Sequence, residues 1–188
     1  MVKVLRRQSF IWKKTPNSPN SWKQRFGRKL KRNKTIQDIT KLLQKAIKFI
    51  SIRPRSQKEI LVYLQKKSPK NQEKQKLVLQ ELSNLGLVDD EAFVDWWLEQ
   101  RATFRPKGKR ALMMELRFKG IERDLIERSL AEKVDEEALA KKSALKKMSS
   151  LKGLPPEAQK EKLIGFLSRR GFSWEIIRKT LDEILQKD

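Results

Sequence analysis

The stretch FRPKGKRALMMELRFKGI, residues 104–121, decides the fold, because a similar stretch follows later in the chain. The later stretch is AQKEKLIGFLSRRGF, residues 158–172. In both, two leucines lie four residues apart among cations, and a glycine followed by an apolar residue stands at the end. Leucines at that spacing share one face of a helix, and glycine suits the left-handed position just beyond a helix. Both stretches therefore predict the same element, a basic helix that ends at a glycine.

The correspondence between the two stretches continues along the chain at an offset of 51 residues. The matched pairs are Leu112 and Leu163, Leu116 and Leu167, Gly120 and Gly171, Ile121 and Phe172, Ile126 and Ile177, and Leu130 and Leu181. At an offset of 52 residues the matched pairs are Arg53 and Arg105, Pro54 and Pro106, Arg55 and Lys107, and Leu64 and Leu116. A single unit of this size buries little apolar area, and stacked neighbours supply the rest. The repetition therefore predicts an all-α protein, an elongated tandem array of three three-helix repeats.

We predict the repeats at residues 35–88, 89–133 and 134–188, with at least eight helices between residues 35 and 187. Apolar residues recur at three- and four-residue spacing throughout this region, which is the pattern of one helix face. Ser56 followed by Glu59 is a capping box, the start signal of a helix. In the first repeat, Ser68-Pro69 stands where the other two repeats end their middle helix in glycine.

The composition of the 188-residue chain favours a polyanionic partner. Lys and Arg number 45 against 23 Asp and Glu, a net charge of +22. Such a charge favours nucleic acid first, an anionic membrane second and an acidic protein third. The absence of Cys and His excludes disulfides, thiolate metal sites and imidazole catalysis. The chain also lacks the glycine-rich phosphate loop of ATPases, so we expect no enzyme activity, no cofactor and no metal.

Nothing in the sequence predicts a membrane protein. No apolar run reaches the roughly 18 residues that span a bilayer. The N-terminus is basic but lacks the apolar core of a signal peptide. We therefore expect a cytoplasmic protein with no membrane partner.

Residues 1–34 differ from the rest of the chain in charge. They hold 12 Lys and Arg and no acid, whereas the remainder holds 33 cations and 23 acids. This composition predicts a basic, largely disordered tail. Aromatic residues lie among its cations and can stack on bases; they are Phe10, Trp12, Trp22 and Phe26. The alternative is a solvated tail that steers polyanions non-specifically, or one that packs in part on the core.

Two features of the second repeat have both a structural and a functional interpretation. The acids of residues 89–91 open a helix, where free N–H groups and the helix dipole favour negative charge, so no metal site is predicted. Trp97 lies four residues after Phe93, which predicts a core position. Trp96 is open to core packing or to base stacking. Met113, like the repeated leucines, is predicted to lie in the core.

Cations recur at matched positions of the three repeats and are the candidate contacts to a polyanion. Arginine suits carboxylate and phosphate because its planar guanidinium donates two parallel hydrogen bonds. The alternative is a solvated helix face, and contacts to phosphates alone carry no base sequence. The candidates are Arg53, Arg55, Arg105, Lys107, Lys109, Arg110, Arg117, Lys119, Lys162, Arg169 and Arg170.

Three segments together resemble the RecX family of bacterial recombination regulators. They are GLVDDEAFVDWWLEQR at residues 86–101, RPKGKRALMMELRFKGI at residues 105–121 and LIGFLSRRGFSWEIIRKTL at residues 163–181. The motifs that carry the resemblance are Val88-Asp89-Asp90-Glu91-Ala92-Phe93, Arg105-Pro106-Lys107-Gly108, Lys119-Gly120-Ile121 and Arg169-Arg170-Gly171-Phe172-Ser173. The resemblance covers residues 36–186, with the first repeat as the weakest match, and the tail lies outside the family pattern.

The resemblance implies a non-enzymatic modulator of the RecA recombinase, built from three tandem three-helix repeats. Members of the family bind the RecA–DNA filament along its helical groove and inhibit ATP hydrolysis, strand exchange and co-protease activity in DNA repair and the SOS response. They also bind DNA directly. We therefore expect RecA and the backbones of single- and double-stranded DNA as partners of a monomer. The alternative is a basic helical DNA-binding protein, nucleoid-like or regulatory, that acts without RecA.

Deleting residues 1–34 should weaken the binding of single-stranded DNA and flatten its dependence on salt. Each phosphate that the tail neutralises steepens the slope of log affinity against log salt by roughly 0.7 for single strands. The measurement is a salt titration of the full chain and of the deletion variant on two DNA sequences. An unchanged slope would mean that the tail contacts no phosphate. A changed preference between the two sequences would contradict a purely electrostatic role.

Overall fold

The computed structural model describes residues 34–185, and these residues form nine α-helices and no β-strand. The helices are α1 (Lys34–Ser51), α2 (Gln57–Lys67), α3 (Gln72–Asn84), α4 (Asp90–Phe104), α5 (Lys109–Phe118), α6 (Arg123–Lys133), α7 (Glu136–Met148), α8 (Pro156–Arg169) and α9 (Trp174–Leu185). The prediction of an all-α protein with at least eight helices is confirmed. The predicted tail and its four aromatic residues lie outside the described residues, apart from Lys34, with which α1 begins.

Each set of three consecutive helices encloses an apolar cluster of its own. Helices α1–α3 pack around a cluster that includes Ile60. Helices α4–α6 pack around Phe93, and helices α7–α9 pack around Leu163. All three of these side chains are 0% exposed. Three small cores, rather than one large one, therefore stabilise the described part of the chain.

The chain divides into two compact units between Asp89 and Asp90. The first unit holds α1–α3, and the second holds α4–α9. Within the second unit, the side chain of Leu139 on α7 packs against the apolar cluster of α4–α6 and also against that of α7–α9. The second and third sets of helices are therefore joined by apolar contact. The residue bounds given above for the three repeats stay a prediction.

The structure buries the positions that repeat in the sequence. Every apolar residue of the pairs matched at an offset of 51 residues is at most 5% exposed. Leu64 and Leu116, matched at an offset of 52 residues, are both 0% exposed. Met113, also predicted to lie in the core, packs against the apolar cluster of its repeat, but its side chain is only half-buried. Met113 lies one residue beyond Leu112, about 100° further round the helix, and so at the edge of the buried face.

The glycines that end α5 and α8 adopt the predicted left-handed conformation. Gly120 has a φ of 82° and Gly171 a φ of 79°. The N–H of Ile121 donates to the carbonyl of Leu116 at 3.1 Å, and that of Phe172 donates to the carbonyl of Leu167 at 3.3 Å. This is the Schellman motif, in which the residue after the glycine closes back on the last helical turn. The same backbone geometry therefore ends the middle helix of the second and third repeats.

The first repeat ends its middle helix without a glycine. Helix α2 closes at Ser68, whose N–H donates to the carbonyl of Leu64 at 2.9 Å. The buried side chain of Gln75 on α3 donates its amide N–H to the carbonyl of Ser68 at 2.7 Å. A side chain from the next helix thus satisfies a carbonyl at the helix end, as every helix terminus requires.

The start of α2 carries the predicted cap. The hydroxyl of Ser56 accepts a hydrogen bond from the N–H of Glu59 at 3.2 Å. The carboxylate of Glu59 accepts two hydrogen bonds from the guanidinium of Arg53, at 2.9 and 3.1 Å. These hydrogen bonds hold the turn at residues 53–55 against the first turn of α2.

A direct backbone contact joins the second and third repeats. The N–H of Gly108 donates to the carbonyl of Arg170 at 3.0 Å. A Cβ added to Gly108 would overlap the carbonyl of Gly171, and one added to Gly171 would lie 2.5 Å from the Cβ of Ala111. Glycine is required at both places because two stretches of backbone meet there with no room for a side chain.

A second contact between these two repeats supplies the cap of α5. Gly108 is the N-cap residue and has no side chain to accept a hydrogen bond from the helix. The carboxylate of Glu136, at the start of α7, accepts a hydrogen bond from the N–H of Lys109 at 2.9 Å instead. An acidic group at a helix N-terminus is also favoured by the helix dipole. The third repeat therefore completes a helix of the second.

Replacing Gly108 with Ala should destabilise the protein by roughly 1–3 kcal/mol, the usual cost of forcing an extra methyl group into a packed site. Gly165→Ala is the matched control. Gly165 lies inside α8, where an added Cβ comes within 3.2 Å only of the flexible guanidinium of Arg169. Alanine is favoured over glycine inside a helix by up to about 1 kcal/mol, so this variant should be neutral or more stable. The measurement is the free energy of unfolding in urea for the parent and both variants. A Gly108→Ala variant that is as stable as the parent would contradict the close contact.

Candidate polyanion-binding surface

Each repeat places a cation at the same position, at the C-terminal end of its middle helix. The three residues are Lys67, Lys119 and Arg170, which correspond at the offsets of 52 and 51 residues. Each of them lies over an aromatic ring. The distances to the ring centroids are 5.7 Å for Lys67, 5.1 Å for Lys119 and 4.4 Å for Arg170. A cation over a ring is held in place while it keeps its full charge.

In the first repeat, two stacked rings lie between two cations. Phe49 on α1 and Tyr63 on α2 stack with centroids 4.2 Å apart and planes 5° from parallel. The guanidinium of Arg55 lies 3.9 Å from the Phe49 centroid, and Lys67 lies over Tyr63. Burial lowers the pKa of Arg55, and the neighbouring charge of Arg53 lowers it further, against the opposing effect of Glu59. The turn of the first repeat therefore holds two arginines close together.

In the second repeat, a carboxylate replaces the ring on the middle helix. Glu115 corresponds to Tyr63 and accepts hydrogen bonds from Trp97 at 3.0 Å, from Arg101 at 2.7 Å and from Lys107. Burial alone would raise the pKa of Glu115, but the hydrogen bonds and charges of Lys107 and Arg101 outweigh it and hold the pKa below its ordinary value. Glu115 therefore stays ionised and accepts hydrogen bonds from three donors, two on α4 and one in the turn before α5.

Trp97 packs against the apolar cluster of α4–α6, as its spacing from Phe93 predicted, but its side chain is only half-buried. One part of the indole packs against Phe93, with ring centroids 5.7 Å apart. The indole N–H needs a polar partner and finds it in Glu115 at the edge of the core. Arg101 and Lys119 lie over the ring at 4.4 and 5.1 Å. Trp96 is also half-buried and packs against the same apolar cluster.

In the third repeat, the ring is Phe166 on α8, at the position that corresponds to Glu115. Arg170 lies over it, and Lys147 on α7 lies 5.9 Å from its centroid. The guanidinium of Arg170 also donates to the carbonyl of Pro106 in the second repeat at 2.9 Å. Burial lowers the pKa of Arg170, and the charge of Arg105 lowers it further. Cations of two repeats therefore converge at the contact between them.

The eleven candidate cations fall into two groups by exposure. Five have exposed side chains: Arg105, Arg110, Arg117, Lys162 and Arg169. Six are half-buried: Arg53, Arg55, Lys107, Lys109, Lys119 and Arg170. Among the half-buried cations, Arg53 and Lys107 form salt bridges with glutamates of their own repeat. Their charges are therefore partly neutralised within the fold, whereas the exposed arginines point to solvent.

The sequence analysis missed the residues that hold the cations in place. These are the rings of Phe49, Tyr63 and Phe166, and the carboxylate of Glu115. A signal was present, because Tyr63, Glu115 and Phe166 correspond at the same offsets as the repeated leucines. The match at these polar and aromatic positions identifies Tyr63, Glu115 and Phe166 but not Phe49, whose corresponding position holds Arg101.

An open pocket of about 330 Å³ lies between α4 and α5. Its lining consists of Trp97, Arg101, Met114, Glu115, Phe118 and Lys119. No group of three or more acidic side chains placed to hold a metal ion occurs among the described residues. None of the described helices combines the length and apolar character needed to cross a membrane.

The comparisons with known proteins agree with this repeat architecture. Family models described as the second and third three-helix domains of RecX match residues 89–130 and 135–181. The regulatory protein RecX of Prosthecochloris aestuarii is 38% identical over 148 residues, which cover 79% of this chain and 96% of that protein. The chain belongs to the RecX family. The regulatory protein RecX of Chlorobium phaeobacteroides is 35% identical over 149 residues, 79% of this chain and 97% of that protein.

The fold is also that of a RecX protein of known structure. The crystal structure of RecX from Lactobacillus salivarius matches with a TM-score of 0.67 at 21% sequence identity. The match covers 80% of this chain and 98% of that one.

Replacing Glu115 with Gln should destabilise the protein by roughly 1–3 kcal/mol at neutral pH, because hydrogen bonds to a charged group are lost. The lowered pKa makes the contribution of Glu115 complete above the unfolded pKa of glutamate, about 4.3. That contribution is lost as the pH falls through the lower folded-state pKa. The difference in unfolding free energy between parent and variant should therefore be constant from pH 7 to about pH 5 and shrink below it. A difference that grows in acid would contradict this assignment.

Proposed function

We propose that the protein is a RecX-type regulator that binds RecA and RecA–DNA filaments and inhibits their recombinase, ATPase and co-protease activities. Membership of the RecX family supports the partner. The observation that carries the proposal is the fixed cation at one position in every repeat, Lys67, Lys119 and Arg170. A polyanionic filament presents a repeating charged surface, and repeated cations held in place are suited to it.

The convergence of cations supports a polyanionic partner. Burial lowers the pKa of Arg170, and the nearby charge of Arg105 lowers it further. Burial likewise lowers the pKa of Arg55, and the charge of Arg53 adds to this effect, although Glu59 partly balances Arg53. Like charges held together cost free energy in the isolated protein, and an opposing negative surface removes that cost. This arrangement of charges therefore lowers the stability of the isolated protein and strengthens its binding to a negative partner.

DNA contacts in this proposal are made to the backbone and not to the bases. Arginine and lysine at exposed positions neutralise phosphates without reading sequence. The protein itself catalyses no reaction, acts as a monomer in the cytoplasm, and changes ATP hydrolysis only through its partner. A basic helical DNA-binding protein that acts without RecA is the second candidate, favoured by the net charge of +22. Capture by RecA–single-strand filaments, compared with capture by bare DNA, separates the two.

Replacing Arg105, Arg110 and Arg117 with Glu should reduce inhibition of the DNA-dependent ATPase of RecA at least tenfold at moderate salt. All three side chains are exposed, so each change should alter stability by no more than about 0.5 kcal/mol. Against a negative partner, reversing a contacting charge costs several kcal/mol, whereas a tenfold loss needs only about 1.4 kcal/mol. Circular dichroism confirms the fold, and the inhibition constant is the measurement.

The matched control is a variant with the same change in net charge elsewhere, Lys41→Glu, Lys76→Glu and Arg178→Glu. These three side chains are also exposed and lie on α1, α3 and α9. The control should lose much less inhibition than the first variant. Equal losses would mean that net charge alone matters, and a folded first variant that inhibits like the parent would remove α5 from the binding surface.

A further inference from the structure

Two side chains of the third repeat hold the backbone on either side of Arg105. The ammonium group of Lys142 on α7 donates to the carbonyl of Ala102 at 2.8 Å. The guanidinium of Arg170, at the end of α8, donates to the carbonyl of Pro106 at 2.9 Å. The side chain of Arg105 itself is exposed. The fold therefore presents this arginine to solvent from a backbone that is fixed against the third repeat.

The guanidinium of Arg170 reaches the same place from the third repeat. Its position is set by two contacts, because it lies 4.4 Å from the ring centroid of Phe166 and donates from Nη1 to Pro106, the residue after Arg105. A guanidinium has five N–H donors, so the bond to Pro106 uses only one of them. Two arginines from different repeats therefore lie side by side in the folded protein.

No carboxylate neutralises these two arginines in the part of the chain that the structure describes. Neither of them forms a salt bridge there. Burial lowers the pKa of Arg170 and the charge of Arg105 lowers it further, with no carboxylate acting in the opposite direction. The carboxylate of Glu136, at the start of α5, accepts a hydrogen bond from the backbone N–H of Lys109.

The corresponding turn of the first repeat has a carboxylate of its own. Arg53 matches Arg105 at the offset of 52 residues, and Glu59 accepts two hydrogen bonds from it. Glu59 also raises the pKa of Arg55, against burial and the charge of Arg53. At the same offset, Ala111 occupies the position of Glu59 in the second repeat. The second repeat thus keeps the arginine but lacks the acid that would neutralise it.

An arginine pair without a counter-charge is suited to a phosphate group. A guanidinium donates two parallel hydrogen bonds to phosphate oxygens. Because phosphate directs its oxygens tetrahedrally, two guanidiniums on different segments can each bind one or more of them. The backbones that carry Arg105 and Arg170 are already held together, so binding requires less ordering of the protein.

We propose that the second and third repeats together form a binding site for one phosphate group of a DNA strand, shared by Arg105 and Arg170. The inference rests on the proposed function, which takes DNA as a partner. A phosphate bound by both arginines removes their mutual repulsion and links the two repeats. Binding of DNA at this site therefore stabilises the contact between the repeats.

The surrounding charges favour a DNA strand over an acidic protein segment. The start of α5 and the end of α8 meet at this site. These helices carry three more exposed arginines that have no ion pair among the described residues, Arg110, Arg117 and Arg169. A DNA strand has a negative charge at every nucleotide, so it can neutralise cations spread along two helices. An acidic segment would need its carboxylates at matching places.

The first test measures how inorganic phosphate stabilises the full chain against heat, with sodium chloride keeping the ionic strength constant. The variant is Arg105→Gln, and the matched control is Arg178→Gln, which removes an exposed arginine on α9. Phosphate at about five times its dissociation constant should raise the unfolding midpoint of parent and control by roughly 2–4 °C more than that of Arg105→Gln. The general stabilising effect of phosphate is common to all three proteins. Circular dichroism follows unfolding.

A further variant, Arg170→Gln, tests the other half of the site. It loses the contacts to Pro106 and Phe166, so its midpoint in chloride should fall. Its rise on addition of phosphate, counted from that lower midpoint, should match the small rise of Arg105→Gln. Equal rises in the parent and all variants would overturn the proposal. A rise like that of the parent in Arg170→Gln alone would overturn a site shared by two repeats.

The second test identifies the source of the phosphate. The probes are a short oligothymidylate and a glutamate peptide of equal charge. Arg105→Gln should flatten the slope of log affinity against log salt by roughly 0.7 for the oligonucleotide, and Arg178→Gln should leave it unchanged. Both variants should bind the peptide equally. A selective loss of peptide binding in Arg105→Gln would assign the site to carboxylates, and an unchanged DNA slope would assign it to free phosphate; either result overturns the assignment to DNA.

Neither test contains RecA, so the inference and the proposed function can fail separately. A parent that shows the phosphate effect and the DNA slope but does not inhibit RecA would reject the proposed function and retain the site. A parent that inhibits RecA, with the same response to phosphate in Arg105→Gln, would reject the site and retain the proposed function.

Discussion

The hydrogen bond from the N–H of Gly108 to the carbonyl of Arg170, at 3.0 Å, brings the turn before α5 against the end of α8. Neither backbone can carry a side chain at the point of contact, because a Cβ on Gly108 or on Gly171 would overlap its neighbour. The positions of the cations in the two repeats depend on this close approach of the two backbones. It sets Arg170 beside Pro106 and within electrostatic range of Arg105. The two glycines, which carry no charge, thereby determine where the positive charges meet.

All three repeats carry a cation at the same position, but different residues hold it in each repeat. In the first repeat, Lys67 lies over Tyr63, and in the third, Arg170 lies over Phe166. In the second repeat, Glu115 occupies the position of these rings, and the ring under the cation comes from Trp97 on another helix. Packing alone does not require a cation at this position, since its charge contributes nothing to the apolar cluster. The three repeats therefore reach the same cation position through different local contacts.

The periodic leucines and the glycine at each helix end predicted the helices and the buried positions of the second and third repeats, because helix formation and helix ending depend on neighbours within one turn. The first repeat was harder to predict. Its middle helix ends at Ser68 through a hydrogen bond from Gln75, seven residues further along, and no periodic pattern reports such a bond. For the same reason the sequence indicated cations but not which of them the fold neutralises: Lys107 stands among exposed cations in the sequence, yet Glu115 binds it in the structure.

The chemistry of this surface also limits how its charge can change. The chain has no His and no Cys, the side chains whose ordinary pKa values lie nearest to neutrality. Burial and neighbouring charges lower the pKa values of Arg55 and Arg170, but a guanidinium remains protonated throughout the physiological range. The positive charge of the surface is therefore constant between about pH 5 and pH 8. Since proton uptake cannot switch these charges, the salt concentration, which screens fixed charges, is the variable that alters their attraction to a negative group.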